Sequence, residues 1–227
     1  MITRYCLLAL LVTIMYGCTA VTDEVRETFE YAFAEQQDAE LASEKIKSFP
    51  YTSLYAQWQG EPRVLVILGF VDKPKDRHFI TAEKETLVLR RGRVIRTQDL
   101  NNNLLAVSNL NRDPLNCVIT RPENCETVWQ RAYDYQLGEK EVSRKITSHF
   151  YVKEKQVLQL PFGDVSTTLV EEEGRVELSG KTFTNRFWIE NDGHVVKSQQ
   201  QLFPSMPPLT LTQVTWIGRD YSHKEAE

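Results

Sequence analysis

"TFTNRFWIENDGHVV", Thr182 to Val196, holds two extended runs on either side of a turn. In the first run Phe183, Phe187 and Ile189 share one face of a strand, and Trp188 faces the other way. Asn191-Asp192-Gly193 follows Glu190, and Asn and Gly accept the positive φ that tight hairpins require. A strand, a tight turn and a second strand make antiparallel neighbours.

The same grammar extends along the chain. In "VSRKITSHFYVK" (Val142 to Lys153), Val142, Ile146, Phe150 and Val152 share one face and the polar side chains share the other. "RVLVILGFV" (Arg63 to Val71) is continuously apolar and rich in β-branched residues, as expected of a strand covered on both faces. Further turn signals are "QGEP" after Trp58, "RRGR" after Leu89 and "EEEGR" after Val170. Hairpin after hairpin predicts a mainly β fold, a large antiparallel meander in chain order curled into a barrel or half-barrel, with a two-sheet sandwich as the alternative.

Upstream, Val25, Phe29, Ala32 and Phe33 fall at helical spacing, with Thr22 or Asp23 able to cap. This helix is expected to cover the long apolar strand from the concave side of the sheet. "DAELASEKIKSF" adds a helical turn before Pro50. No Pro/Ser/Gly-rich linker divides the sequence, so residues 18–227 read as a single β-domain.

The N-terminus reads as an address. Arg4 precedes an apolar run, Tyr5 to Ile14, which is too short to span a bilayer and has the order of a secretory signal. Gly17-Cys18 directly after it resembles the bacterial lipobox, with Met15 acceptable and Tyr16 bulkier than usual at its place. That resemblance implies cleavage of residues 1–17 and lipidation of Cys18, whose several acyl chains give durable anchoring at about 0.8 kcal/mol per buried methylene. In enterobacterial lipoproteins Asp after the cysteine retains the protein in the inner membrane, so Thr19 implies the outer membrane, with the body facing the periplasm.

Charge and cysteine usage limit the alternatives. With 27 Lys and Arg against 31 Asp and Glu, the chain is mildly acidic, which disfavours general attraction to nucleic acid or anionic lipid. "LRRGR" (Leu89 to Arg93) is locally basic and is expected to be a solvated hairpin turn. Cys117 and Cys125 bracket "VITRPEN" and are expected to form a disulfide in an oxidising periplasm. A zinc site would need further ligands, and no histidine lies nearby.

Nothing in the chain has the pattern of a catalytic or metal centre. His78, His149, His194 and His223 are scattered, with His149 and His194 expected to be solvated, and no Gly-x-Ser-x-Gly elbow is present. Asp72, Asp76, Glu83 and Glu85 cluster, but charged hairpin edges that discourage sheet-to-sheet aggregation explain them more cheaply than a glycosidase pair would. Trp58, Trp129, Trp188 and Trp216, with Tyr51 and Tyr55, supply rings that either stack on sugars, pack in the core or seat at a membrane interface.

"FPYTSLYAQW", "VLVILGFVD", "RVIRTQDLNNNLLAV" and "RDPL" occur in that order between Phe49 and Leu115, with "NRFWIENDGHVVKSQQQL" near the end. Together they resemble the group 4 capsule polysaccharide lipoprotein family, of the GfcB/YjbF type. "LNNNLL" is its most specific piece, and its asparagines read by default as a turn. The resemblance implies an outer-membrane lipoprotein with a barrel-like fold, no enzymatic activity, no cofactor, and polysaccharide-export proteins as partners. The expected role is a non-catalytic accessory of capsule or exopolysaccharide production or export, with the four tryptophans as candidate glycan contacts. The alternative is a periplasm-facing carrier for a lipid or acyl chain. If Cys18 is the anchor, Cys18→Ser abolishes labelling with palmitate in cells and moves the protein from the envelope to the soluble fraction; unchanged sedimentation would remove the anchor.

Overall fold

Alternating burial builds twelve strands among the described residues. The computed structural model describes residues 38–72, 75–203 and 206–218. The helix expected around Val25 to Phe33, with its place in the concave face, and the lipobox at Cys18 lie outside the described residues, as does His223. One short helix, α1 (Ser43–Ile46), forms where a helical turn was expected before Pro50, and it buries Ile46.

The strands form one antiparallel sheet. β1 (Ser53–Trp58), β2 (Val64–Asp72), β3 (Asp76–Ile80), β4 (Thr86–Arg90) and β5 (Arg93–Gln98) step outward as successive hairpins. β6 (Asn102–Val107), β7 (Val128–Leu137), β8 (Lys140–Leu160), β9 (Gly163–Val176), β10 (Thr182–Ile189), β11 (Val195–Gln200) and β12 (Leu209–Thr215) then step back. β12 pairs with β1, so the first and last strands close the sheet at its middle and β5 and β6 become its two ends. The sheet curls until these ends approach each other. Leu104 N donates to Thr97 Oγ1 at 2.9 Å, and Thr97 Oγ1 donates to Asn103 Oδ1 at 3.2 Å, so side chains link strands that share no ladder. The result is a nearly closed barrel, as the meander pattern predicted.

Local chemistry sets the turns. Arg91 and Gly92, at φ 48° and 81°, form the two-residue β4–β5 loop between the paired Arg90 and Arg93, as type I′ geometry demands. Asn103 takes the turn role assigned to "LNNNLL": its amide accepts from Leu100 N and donates to Leu100 O. "EEEGR" is not a turn. Gly174 lies inside β9 opposite Phe183, and a Cβ there would sit 2.1 Å from the Phe183 ring. The glycine is a slot for a cross-strand ring, and the turn comes later, at Leu178 and Gly180.

Packing occupies both faces of part of the sheet. Leu54, Val66, Phe79, Leu104, Phe187, Leu209 and Leu211 belong to the interior core. On the outer face Tyr55, Val214 and Ile46 form a second cluster, which Phe162 at the β8–β9 tip packs against. The expectation that "RVLVILGFV" is covered on both faces holds only for its middle, Leu65 to Leu68, since Val64 is exposed. Phe70 and Val71 are about half exposed, beyond an irregularity at Gly69.

The interior also holds charge. Arg93, fully enclosed, presents Nε and Nη2 to Asp113 and Nη1 to Glu172 Oε2 at 2.8 Å. Arg131 on β7 pairs with the other oxygen of Glu172, Ser148 on β8 donates to it at 2.7 Å, and Asn185 on β10 donates to Oε2 at 3.0 Å. The Trp129 ring lies 4.6 Å from the Arg93 guanidinium carbon and 4.1 Å from that of Arg131. Burial would raise the Glu172 pKa, but attraction from Arg131 and Arg93, with hydrogen bonds from Arg93 and Ser148, overcomes it and holds the carboxyl at about 2.

Asp113 reaches this network from the connection between β6 and β7. Three one-turn 3-10 segments there, Leu110–Arg112, Pro114–Asn116 and Pro122–Asn124, insert Leu115 and Val118 into the core. Cys117 and Cys125 are disulfide-bonded across this plug, with Cα atoms 5.5 Å apart.

Replacing both cysteines with serine lowers stability in urea by about 2–3 kcal/mol, and reductant then has no further effect; an unchanged midpoint would show that the staple restrains nothing. Glu172→Gln leaves two buried cations short of an anion and costs about 3–5 kcal/mol. Because the folded pKa of Glu172 lies below its unfolded value, its stabilisation is complete above the ordinary carboxylate range and is lost as pH falls toward about 2. The urea midpoint of Glu172→Gln should therefore fall less steeply than that of the parent chain as pH drops through that window.

Candidate functional site

At one end of the barrel a cleft of about 530 Å³ opens into the interior, within the ~300–1,000 Å³ usual for small-molecule sites. Leu54 on β1, Phe79 on β3, Leu89 on β4 and Leu211 on β12 bring core side chains to its wall. Two hairpin tips frame the opening, the Arg91-Gly92 turn and the loop between β10 and β11. They touch so closely that a Cβ on Gly92 would lie 2.4 Å from Val195 Cβ. Gln200 pins the first tip, donating to Gly92 O at 2.8 Å and accepting from Val94 N at 3.1 Å.

The lining is basic in an acidic protein. Lys75, Arg77, Arg90, Arg91 and Lys197 face a single acid, Asp192. Arg90 is neutralised by a bidentate pair with Asp76 at 2.5 and 2.7 Å, and Lys197 lies 5.3 Å from the Trp188 ring. Arg77 forms no ion pair with a described carboxylate. Its guanidinium sits 4.7 Å from the Trp216 ring, and burial and the charge of Arg91 both lower its pKa. Cations gathered along a concave wall focus positive potential there.

A polar set stands beside Arg77. His194 Nε2 donates to Gln213 Oε1 at 2.5 Å, and its ring meets Trp216 edge-on at 4.4 Å. Burial lowers the His194 pKa, with Arg77 adding to the shift, against the Gln213 hydrogen bond and the nearby acids Glu190 and Asp192. Gln213 is fully buried, and its Nε2 has no hydrogen-bond partner among the described residues. A buried donor left unpaired costs about 1–3 kcal/mol, so an acceptor entering the cleft would find a prepared contact.

The structure separates the four candidate tryptophans. Trp216 lines the cleft, Trp129 is enclosed by the arginine network, Trp188 packs beside Leu160, Val165 and Val196, and Trp58 packs against the interior core. They form no common groove. "LRRGR" has the expected turn conformation with Arg91 exposed at its tip, but Arg93 is buried and Arg90, Arg91 and Gly92 line the cleft. His149 is exposed as expected, whereas His194 is drawn into the Gln213 contact. Within the acidic cluster Asp76 holds Arg90 and Asp72 holds the buried His78 at 3.0 Å, while Glu85 has its pKa raised by burial and by the charge of Glu83. Arg77 and Gln213 carried no sequence signal beyond sitting on strands, and only alternate-position counting along β3 and β12 would have turned them inward. Among the described residues no cluster of His, Cys, Asp and Glu has metal-binding geometry, and no helix is long and apolar enough to cross a membrane.

Comparison with known proteins gives one consistent answer. The chain is 26% identical over 210 residues to the lipoprotein GfcB of Escherichia coli (strain K12), covering 92% of this chain and 97% of that protein. It is 25% identical over 209 residues to the lipoprotein YjbF of the same organism, covering 91% and 95%. The crystal structure of the hypothetical lipoprotein YmcC from Escherichia coli (K12) superposes with a TM-score of 0.72 at 25% identity, covering 85% of this chain and 96% of that one. The sequence profile described as "Group 4 capsule polysaccharide lipoprotein gfcB, YjbF" matches residues 26–214, and the chain belongs to that family.

Proposed function

We propose that this chain is an outer-membrane lipoprotein, anchored through Cys18 and facing the periplasm, that serves capsule or exopolysaccharide production or export as a non-catalytic accessory. The observation that carries this reading is the cleft. Basic side chains, one tryptophan and a buried amide nitrogen with no hydrogen-bond partner among the described residues converge at the open end of a barrel whose family is named for capsule polysaccharide. Sugar rings present apolar faces to aromatic and aliphatic side chains and hydroxyls to polar ones, and the cleft lining offers both kinds of surface.

Binding without turnover suits the same residues. A glycosidase needs two carboxyl groups held across the scissile bond, whereas the acids nearest the cleft are engaged: Asp76 with Arg90, and Asp192 with His194 N at 2.8 Å. The export partners are outer-membrane or periplasmic proteins acting beside the anchor. The acyl-carrier alternative has less support, because about half of the cleft lining is polar or charged, and a hydrocarbon chain would leave those groups desolvated without partners.

Deleting the gene and assaying surface polysaccharide, under conditions in which the locus is expressed, tests the role. Loss of surface polymer, restored by the parent gene and not by Cys18→Ser, is expected. Unchanged polymer would contradict the accessory role, and acyl chains retained at stoichiometric levels in native mass spectrometry would favour the carrier.

A further inference from the structure

The geometry points to the cleft as a binding site for an acidic saccharide, a hexuronate unit whose carboxylate meets Arg77 and whose ring lies along the Trp216 side of the cleft. This rests on the glycan-accessory reading above and adds the class of sugar, the residue that selects it and the atom that awaits it.

Three observations converge on it. Arg77 is a half-buried guanidinium with no ion-pair partner among the described residues, next to a second cation, Arg91. The exposed Arg91 adds repulsion to the cost of half-burying Arg77, and an anion entering the cleft would offset both. A carboxylate is the anion that a guanidinium fork matches in a plane, through two parallel hydrogen bonds. The contrast within the site is informative, because Arg90, on the neighbouring strand, already has such a carboxylate in Asp76.

Gln213 supplies the second observation. Its Oε1 is committed to His194, and its Nε2 is buried on the cleft lining without an acceptor. A sugar hydroxyl or ring oxygen satisfies that donor, and His194 holds the amide in the orientation that leaves the donor available. The third is the mixed wall. Leu110, Val195 and the Trp216 ring, each partly exposed, offer aliphatic and aromatic surface next to the charged rim. A small inorganic anion has no use for such a wall, but the C–H face of a pyranose does. An extended neutral glucan, in turn, would leave Arg77 uncompensated.

The test uses the full-length lipoprotein in detergent, titrated calorimetrically with an oligogalacturonate, with the same oligomer after reduction of its carboxyl groups, and with inorganic phosphate. The acidic oligomer should bind at least about tenfold more tightly than its reduced counterpart, the difference one charge-assisted contact supplies, and should weaken as salt rises. Arg77→Gln should remove that preference while leaving the urea midpoint unchanged, and Arg77→Lys should restore part of it. Gln213→Leu, which deletes the unpaired donor, should weaken both oligomers alike. Equal affinity for the two oligomers, no binding of either, or an Arg77→Gln chain that keeps the preference would overturn the inference. Phosphate binding more tightly than the hexuronate would overturn the sugar assignment. These outcomes are separable from failure of the accessory role, which is read from surface polymer in the deletion strain and not from binding.

Discussion

Glu172 sits at the centre of a charge network that joins parts of the barrel no backbone ladder connects. Arg93 reaches it from β5, at one end of the sheet, and Arg131 from β7, beside the other end. Ser148 and Asn185 complete its hydrogen bonds from β8 and β10. Buried ion pairs contribute little net stability when compared with well-packed apolar groups, but removing one partner is costly and their geometry is exacting. Their consequence here is positional. The sheet has two free ends, and the enclosed Arg93 ties one of them to the opposite wall.

The cleft inherits its shape from that tie. Arg93 is the first residue of β5, so burying it fixes the β4–β5 hairpin against the barrel's end and turns Arg91 and Gly92 toward the opening. Gln200 holds the same tip from β11. The plug between β6 and β7 is fixed by the same means, since Asp113 both pairs with Arg93 and accepts from Leu115 N at the start of a 3-10 turn. The disulfide closes the remainder of that plug. A binding surface built on such restrained tips loses little conformational entropy when it is filled.

Much of the architecture was legible because period-two patterning and turn chemistry are local properties. The hairpin at Asn191 to Gly193, the two-residue turn at Arg91-Gly92 and the succession of antiparallel neighbours all follow from them. The pairing of β12 with β1 was not legible, because it depends on how the sheet curls, and nor was the irregularity that exposes Phe70 and Val71. Glu172 was hidden within Glu171-Glu172-Glu173, which reads as an acidic turn. Only once Gly174 is known to be a packing slot does the run extend as a strand, with Val170, Glu172 and Val176 facing inward together. The stretches "RVIRTQDLNNNLLAV" and "RDPL" carried the family resemblance, and they also contribute Arg93 and Asp113 to the network. Of the proposed sugar contacts, Trp216 was visible as an aromatic, whereas Arg77 and Gln213 depend on tertiary placement.

Native-state hydrogen exchange tests the central claim, that interior charge rather than strand pairing holds the β5 end of the sheet. Edge strands ordinarily fray and exchange through local openings. The ladder-bonded amides of Arg93 to Gln98 should instead open with the same free energy as those of Val170 to Val176 on β9, the strand that carries Glu172. Amides of β5 exchanging through a separate, low-energy opening while β9 stays protected would show that the network does not close the barrel.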